Sequence, residues 1–362
     1  MLDPDYIRNM TRRIRKTAQD LEDDVIVVLI AALLQMLQDE EVSEIEVAEE
    51  VNRIVEQYQI QGTQELLKIF RDAAGESIAN DAKAIEEAQN VSEEQDITKP
   101  SLGDPYIREV VNHFHRATQT TWQNLTRTVA YEGTRAYVNA ADEAAIEVAT
   151  GRSSREAIIN ALDNFVNKGI EIVENPQTGH RDHIDVAMDR NVRTTVSKMA
   201  GDITLQNCVQ NGITLVLVSA HFGARPTHEV WQGKVYSLIG DTGQYKDFYR
   251  ETEYGQMLGL CGINCRHSFS PFVEGMHNPY EDEDYSDPQR YKDEQTQRAM
   301  ERRIRKLRRK KRELDEIWKY EKTPELRAER QNVAKALRNA IREYEEFCAE
   351  HDFRPLWERT QA

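Results

Sequence analysis

From Asp3 to about Gln95 the apolar residues fall at helical spacing, and this periodicity narrows the folds open to the chain more than any other feature. A basic start at Arg8, Arg12, Arg13, Arg15 and Lys16 leads into the apolar stretch Val25 to Leu34, and Val42, Ile45, Val47, Val51, Ile54 and Val55 then return to one face every three or four residues. The polar stretch from Val91 to Asp104, with Pro100, Gly103 and then Pro105, breaks the pattern. Beyond it Tyr106, Val110, Phe114, Ala117, Trp122, Leu125 and Val129 form a second stripe. Gly151 to Ser154 then restart a helix with a serine cap, with Ala157, Ile158, Leu162 and Phe165 facing inward. Such patterning calls for packed amphipathic helices.

Composition agrees: aromatic residues make up only 7% and charged residues 30%, the usage of long solvated helices. At 362 residues the chain is long enough for two or three compact units. Val25 to Leu34 is much shorter than the ~20 apolar residues needed to span a bilayer, and the first residues lack the pattern of a cleavable leader. The N-terminal basic residues are without aromatic anchors for a membrane surface, so the expectation is a core helix with a basic start in a soluble protein. Cys208 and Cys348 are isolated and Cys261 and Cys265 are close together, which is no disulfide framework and suits synthesis in a reducing cytosol. A net charge of −16 argues against a nucleic-acid binder over its whole surface, though a local basic stripe can still meet phosphate.

After Gly212 the texture changes. Ile213 to Val218 is a short β-rich run, and Val230 to Leu238 contains another with Gly233 inside it. Past Met276, Glu281 to Tyr285 read as an acidic loop. Two long helical patterns follow, broken at Thr323 and Pro324: one carries Met300, Ile304, Leu307, Leu314 and Trp318, the other Leu326, Val333, Leu337, Ile341 and Tyr344. The expected fold is mainly α with a small α+β module, long helices and a C-terminal antiparallel helical hairpin. Four consecutive blocks result: a helical region at 1–98 suited to docking, a helical domain at 105–210, the α+β module at 211–276 and the hairpin with a basic arm at 290–350.

The most unusual residues lie between His221 and Phe272. Cys261, Cys265 and His267, joined by His228 or His221 from the earlier loop, supply the sulfur and imidazole donors that tetrahedral Zn²⁺ prefers. The Cys-x-x-x-Cys-x-His spacing differs from a paired zinc knuckle, and the same residues read equally as a hydrogen-bonded, packed cluster in a loop-rich module. An enzyme is a third reading, with a cysteine thiolate as nucleophile or zinc-activated water. Against it, no motif places an acidic base; Glu229 merely adjoins His228.

Two strings in this region carry a family resemblance. Ala-Arg-Pro-Thr-His-x-x-Trp-Gln-Gly-Lys, from Ala224 to Lys234, and Cys-Gly-x-Asn-Cys-Arg-His-x-x-x-Pro-Phe, from Cys261 to Phe272, resemble the phage minor capsid protein 2 family, itself related to the Mu-type minor head proteins. Arg225, His228, Trp231, Gly233, Cys265 and Arg266 fall on the Mu-type positions, with His221 just before the first string, and His267 stands where the Mu-type pattern has its last cysteine. His and Cys replace each other most readily as metal donors or as weakly polar packing groups. The resemblance implies a structural component of a tailed-phage head, not an enzyme, made in the host cytoplasm and carried in the virion. It implies work at the portal in head morphogenesis or in DNA packaging and ejection. The portal protein would be the main partner, in several copies per head, with the major capsid protein and packaged double-stranded DNA as further partners. Two alternatives stand beside it: a zinc-dependent hydrolase or injected effector built on the His/Cys module, and a scaffolding or DNA-condensing helper.

Arg302, Arg303, Arg305, Lys306, Arg308, Arg309, Lys310, Lys311 and Arg312 ring one helix with positive charge. Contact with DNA phosphate is the functional reading; no aromatic residues interleave to stack on single-stranded bases and nothing reads base edges, so such contact is expected to be sequence-independent and salt-sensitive. The bland reading is a solvated arm whose cations pair with acids nearby, such as Glu321, Glu325 and Glu329.

Overall fold

A computed structural model of the chain describes residues 2–36, 42–91, 98–168, 170, 172–175 and 179–361. The polar linker before Asp104 lies partly outside these residues, and the Phe165 side chain is also outside them. The expected class holds: long helices with one small mixed sheet. Helices α1 (Pro4–Met10), α2 (Arg12–Gln35), α3 (Glu44–Val91), α4 (Pro105–Ala149) and α5 (Ser154–Lys168) are followed by a short antiparallel strand pair, β1 (Ile172–Asn175) and β2 (His180–Asp182), and by α6 (Ile184–Gln210). Among the described residues no helix is long and apolar enough to cross a membrane.

Caps start these helices where the sequence offers them. At α3, Ser43 Oγ accepts the Glu46 N–H at 3.2 Å while Glu46 accepts the Ser43 N–H at 3.1 Å, a reciprocal capping box. Ser153 does the same work for α5 by accepting the Glu156 N–H at 3.2 Å.

The chain forms two compact units, each assembled from three separated segments: residues 1–14, 63–121 and 188–292 in one, and 15–62, 122–187 and 293–362 in the other. A helix of 48 residues, such as α3, is about 70 Å long, whereas a unit of this size is only roughly 40 Å across. The residues of α3 accordingly divide between the two units at Gly62 and Thr63.

In the first unit the sheet has the order β5-β4-β3-β6, with β3 (Leu215–Val218) antiparallel to both β4 (Val235–Ser237) and β6 (Phe269–Phe272), and β5 (Lys246–Asp247) parallel to β4. All four residues of β3 are buried, because both its faces are covered. Val216 and Val218 join Trp231, Phe248, Leu260 and Phe269 on one face, and Leu215 and Leu217 join Phe272 on the other. The strand expected over Val230 to Leu238 is confined to β4. Val230 caps the one-turn helix α7 (Pro226–Glu229), and Gly233 follows with φ of 70°. A Cβ on Gly233 would press on the Cβ atoms of Tyr280 and Ala220 at 3.2 and 3.3 Å, so both backbone and space call for glycine. A further one-turn helix, α8 (Phe248–Thr252), follows β5.

In the second unit α2 is the core helix with a basic start that the sequence predicts, burying Ile14, Leu21, Val25, Leu29 and Leu33. Trp122 is fully buried, and Gly62 makes room for its ring. The stripe on α4 is shifted from the expected one: Tyr106 is 53% exposed, and the buried residues are Ile107, Val111 and Thr118 in the first unit's part of the helix and Trp122, Thr126 and Val129 in the second unit's part. Two threonines hold core positions; Thr126 meets its hydroxyl's needs by bonding to Gln123 O and accepting from Gln59.

The C-terminal hairpin is formed by α9 (Pro288–Tyr320) and α10 (Pro324–Glu350). Thr323 caps α10 by accepting the Leu326 N–H at 3.1 Å, and Pro324 fills the first helical position. Ile304, Ala340, Tyr344 and Cys348 form its core, with Met300, Leu307, Leu337 and Ile341 around them.

Candidate functional site

The two family strings meet in the first unit. Pro226 opens α7, and that single turn carries His228 inward to 2% exposure. Cys265 and His267 are two residues apart on the stretch entering β6, the spacing that returns an extended chain to the same face. The ladder from β3 runs on beyond β6, with Ser219 N–H donating to Ser268 O at 2.9 Å, and holds this stretch beside the earlier loop.

The result is a tight trio. The Nδ1 atoms of His228 and His267 each lie 3.7 Å from Cys265 Sγ, and the three donor atoms are all within 4.8 Å of one another. Cys261, expected in the same set, stands outside this group: its Sγ lies 3.8 Å from the His267 carbonyl oxygen, deep in the core. His221 does not offer its ring edge to the trio but stacks on His267, centroids 4.2 Å apart. Trp231 closes the other side, 4.5 Å from the His228 ring and 4.8 Å from that of His267.

Both imidazoles are oriented through their far nitrogens. His228 Nε2 donates to the Leu258 carbonyl at 2.8 Å, and His267 Nε2 meets Gln232 Oε1 at 2.9 Å. Gln232 Oε1 also accepts the His221 backbone N–H at 3.1 Å, which fixes that atom as oxygen and His267 Nε2 as the protonated nitrogen. Burial pushes the His228 imidazole down to about 4 and holds His267 well below the usual range, helped by the neighbouring His221 and His228, so both rings are neutral. Burial likewise raises the Cys265 thiol, and Cys261 still more strongly.

The two motif arginines strap the strings together reciprocally. Arg225 of the first string donates to Ile263 O of the second at 2.6 Å, and Arg266 of the second donates to the O of Gly223, the residue just before the first string, at 2.9 Å. The Cys-Gly-x-Asn-Cys turn between them is steeply coiled. Cys261 and Asn264 have φ of 60° and 57°, and a Cβ on Gly262 would run into the Met257 carbonyl. Gln232 and the Leu258 carbonyl are site groups that sequence reasoning missed; for Gln232 the available signal was its place in the string beside Trp231.

The basic arm lies elsewhere, in the second unit, and most of its charge is answered by the protein. Arg305 pairs with Asp185 at 3.3 Å, Arg309 reaches Glu22 at 3.5 Å and Asp185 at 3.8 Å, and Arg312 pairs with Asp23. Arg303 pairs with Glu343, Lys310 with Glu329 and Lys311 with Asp315, each at 2.6 Å, while Arg308 bonds to the Thr360 hydroxyl at 2.8 Å. Arg302 and Lys306 are exposed and make no ion pair among the described residues. At the centre of this network Arg309 is 8% exposed and Glu313 3%, and neither carboxylate oxygen of Glu313 has a hydrogen-bond partner. Burial, together with Glu22 and Asp23 and against the pull of Arg309 and Arg312, pushes Glu313 up to about 8.

The model of a family described as phage minor capsid protein 2 matches residues 2–346. A protein of Lactococcus phage LL-H named "Structural protein" is 28% identical over 232 residues, 60% of this chain and 59% of the relative's own length. No solved structure matches.

Proposed function

The chain belongs to the phage minor capsid protein 2 family, and from that premise we propose that it is a minor head protein of a tailed phage, installed at the portal during head morphogenesis and acting in DNA packaging or ejection. The observation that carries this reading is the reach of the family match, residues 2–346, which includes the helical regions as well as the motif module. The portal protein is the principal partner, with the major capsid protein as a neighbour; assembly takes place in the host cytoplasm and the protein remains in the virion. A non-catalytic role is supported by the family's description as a minor capsid protein and by the relative's name, "Structural protein".

Packaged DNA enters this reading in a reduced form. With Arg303, Arg305, Arg308, Arg309, Lys310, Lys311 and Arg312 engaged by groups of the protein itself, phosphate contact falls to the exposed Arg302 and Lys306. Two such contacts give a slope of log affinity against log salt of about −1.8 for each copy, a weak and sequence-independent hold.

Quantitative mass spectrometry of purified, DNA-filled particles tests the proposal by measuring this chain against the portal subunit. A reproducible ratio far below that of the major capsid protein is expected. Absence from filled particles would overturn it in favour of a scaffolding helper that departs before maturation.

A further inference from the structure

We propose that His228, Cys265 and His267 hold one Zn²⁺ ion through Nδ1, Sγ and Nδ1, as a clasp between the two strings of the motif module. The argument is one of counting protons. Each histidine spends its single N–H at Nε2, on Leu258 O and on Gln232 Oε1, so each Nδ1 presents a lone pair. Both lone pairs face the same sulfur at 3.7 Å. A neutral thiol has one hydrogen, and as a packed, hydrogen-bonded cluster it satisfies one imidazole and leaves the other as a buried acceptor with no donor. Transfer of the thiol proton to a histidine makes a buried ion pair in a place that disfavours both charges. A divalent cation answers all three lone pairs at once.

The two sulfur-to-nitrogen distances agree with this, and the two Nδ1 atoms, within 4.8 Å of each other, would draw together to about 3.3 Å around the ion. Tetrahedral zinc with Zn–S of about 2.3 Å and Zn–N of about 2.05 Å has a sulfur-to-nitrogen edge of about 3.6 Å. The two observed edges are 3.7 Å. The hydrogen bonds from the far nitrogens are those that orient metal-bound histidines elsewhere, where a carbonyl or carboxylate accepts the second N–H. Neutral imidazoles are already in the ligating state, so binding need displace only the Cys265 thiol proton, which leaves to solvent as the thiolate forms its bond to zinc. His267, where the Mu-type pattern has a cysteine, is thereby a donor replaced by a donor.

This inference does not depend on the head role and is tested on the purified full chain. After treatment with a chelator the protein is titrated with Zn²⁺ and, separately, with Co²⁺ as a spectroscopic substitute. About one equivalent of zinc should bind, and Co²⁺ should give the intense visible bands of a tetrahedral site together with a thiolate charge-transfer band. Cys265→Ser should abolish that band, while Cys208→Ser and Cys348→Ser leave it unchanged. Gln232→Leu, which removes the acceptor behind His267, should weaken zinc binding about 10- to 100-fold with the band retained. Uptake of less than about a tenth of an equivalent by the wild-type chain, or a cobalt spectrum without a thiolate band, overturns the proposal. Both of those readings come from the wild-type protein and are untouched by any variant that fails to fold.

Discussion

Glu313→Gln should flatten the dependence of stability on pH in the second unit. Glu313 sits among Glu22, Asp23, Arg309 and Arg312 with neither carboxylate oxygen partnered, and its carboxyl is pushed up to about 8. In the unfolded chain a glutamate titrates near 4.3. Between those values the folded state holds a proton that the unfolded state has lost, so this residue's contribution is most favourable at low pH and is lost as pH rises through about 8. The slope is about 1.4 kcal/mol per pH unit, and from about pH 6 to about pH 7.5 it amounts to about 2 kcal/mol. Glutamine keeps the shape and carries no titrating proton. Asp23, pushed up to about 7 chiefly by burial, remains in both proteins, so the difference between them reports Glu313. Urea unfolding followed by tryptophan fluorescence suits the measurement, since Trp122, Trp318 and Trp357 all belong to this unit. Wild type should lose about 2 kcal/mol more than Glu313→Gln over that interval. Parallel losses in the two proteins would refute the reasoning and mean that Glu313 is ionised in the folded state throughout.

Three further outcomes follow from the same packing. Arg309→Met leaves Glu22 and Asp185 without their shared cation, and thermal melting should show a loss of about 3–5 kcal/mol. Tyr344→Phe removes a hydroxyl that accepts the Leu356 N–H at 2.8 Å and donates to Glu301 at 3.1 Å; denaturant unfolding should show a cost of about 1–3 kcal/mol. Gly233→Ala forces an L residue to φ of 70° against Tyr280 and Ala220, and should cost about 1–3 kcal/mol in the first unit, read through Trp231 emission, with the second unit's unfolding unchanged.

Local signals were readable and long-range ones were not. Thr323 and Pro324 mark the hairpin turn because capping and the missing proline N–H act within one helical turn. Leu215 to Val218 announce a buried strand by their β-branched and aliphatic run. The spacing of Cys261, Cys265 and His267 shows donors close together, but not that the Cys261 sulfur meets the His267 carbonyl oxygen outside the group. The basic arm shows the limit most clearly. Of the acids expected to answer it, Glu329 pairs with Lys310, whereas Glu321 pairs with Arg155. The central partners of the arm, Glu22, Asp23 and Asp185, come from more than a hundred residues away, and no periodicity within α9 could name them. The short β1 and β2 pair, inside a block that reads as helical, is held by only three register pairs and has too little pattern to detect.

A ribosome delivers these segments in an order that delays both cores. Segment 15–62 of the second unit is made early, yet the guanidinium groups that neutralise Glu22 and Asp185 arrive only with Arg305 and Arg309, after residue 293. At roughly 5–20 residues per second, Glu22 and Asp23 wait roughly 10–50 s for these guanidinium partners. The first unit likewise lacks β6, and with it Cys265 and His267, until its third segment emerges. Neither unit can therefore be obtained as a continuous fragment. A nascent chain arrested before residue 293 would leave Glu22, Asp23 and Asp185 without their arginine partners, so the C-terminal hairpin completes the charge balance of the second unit.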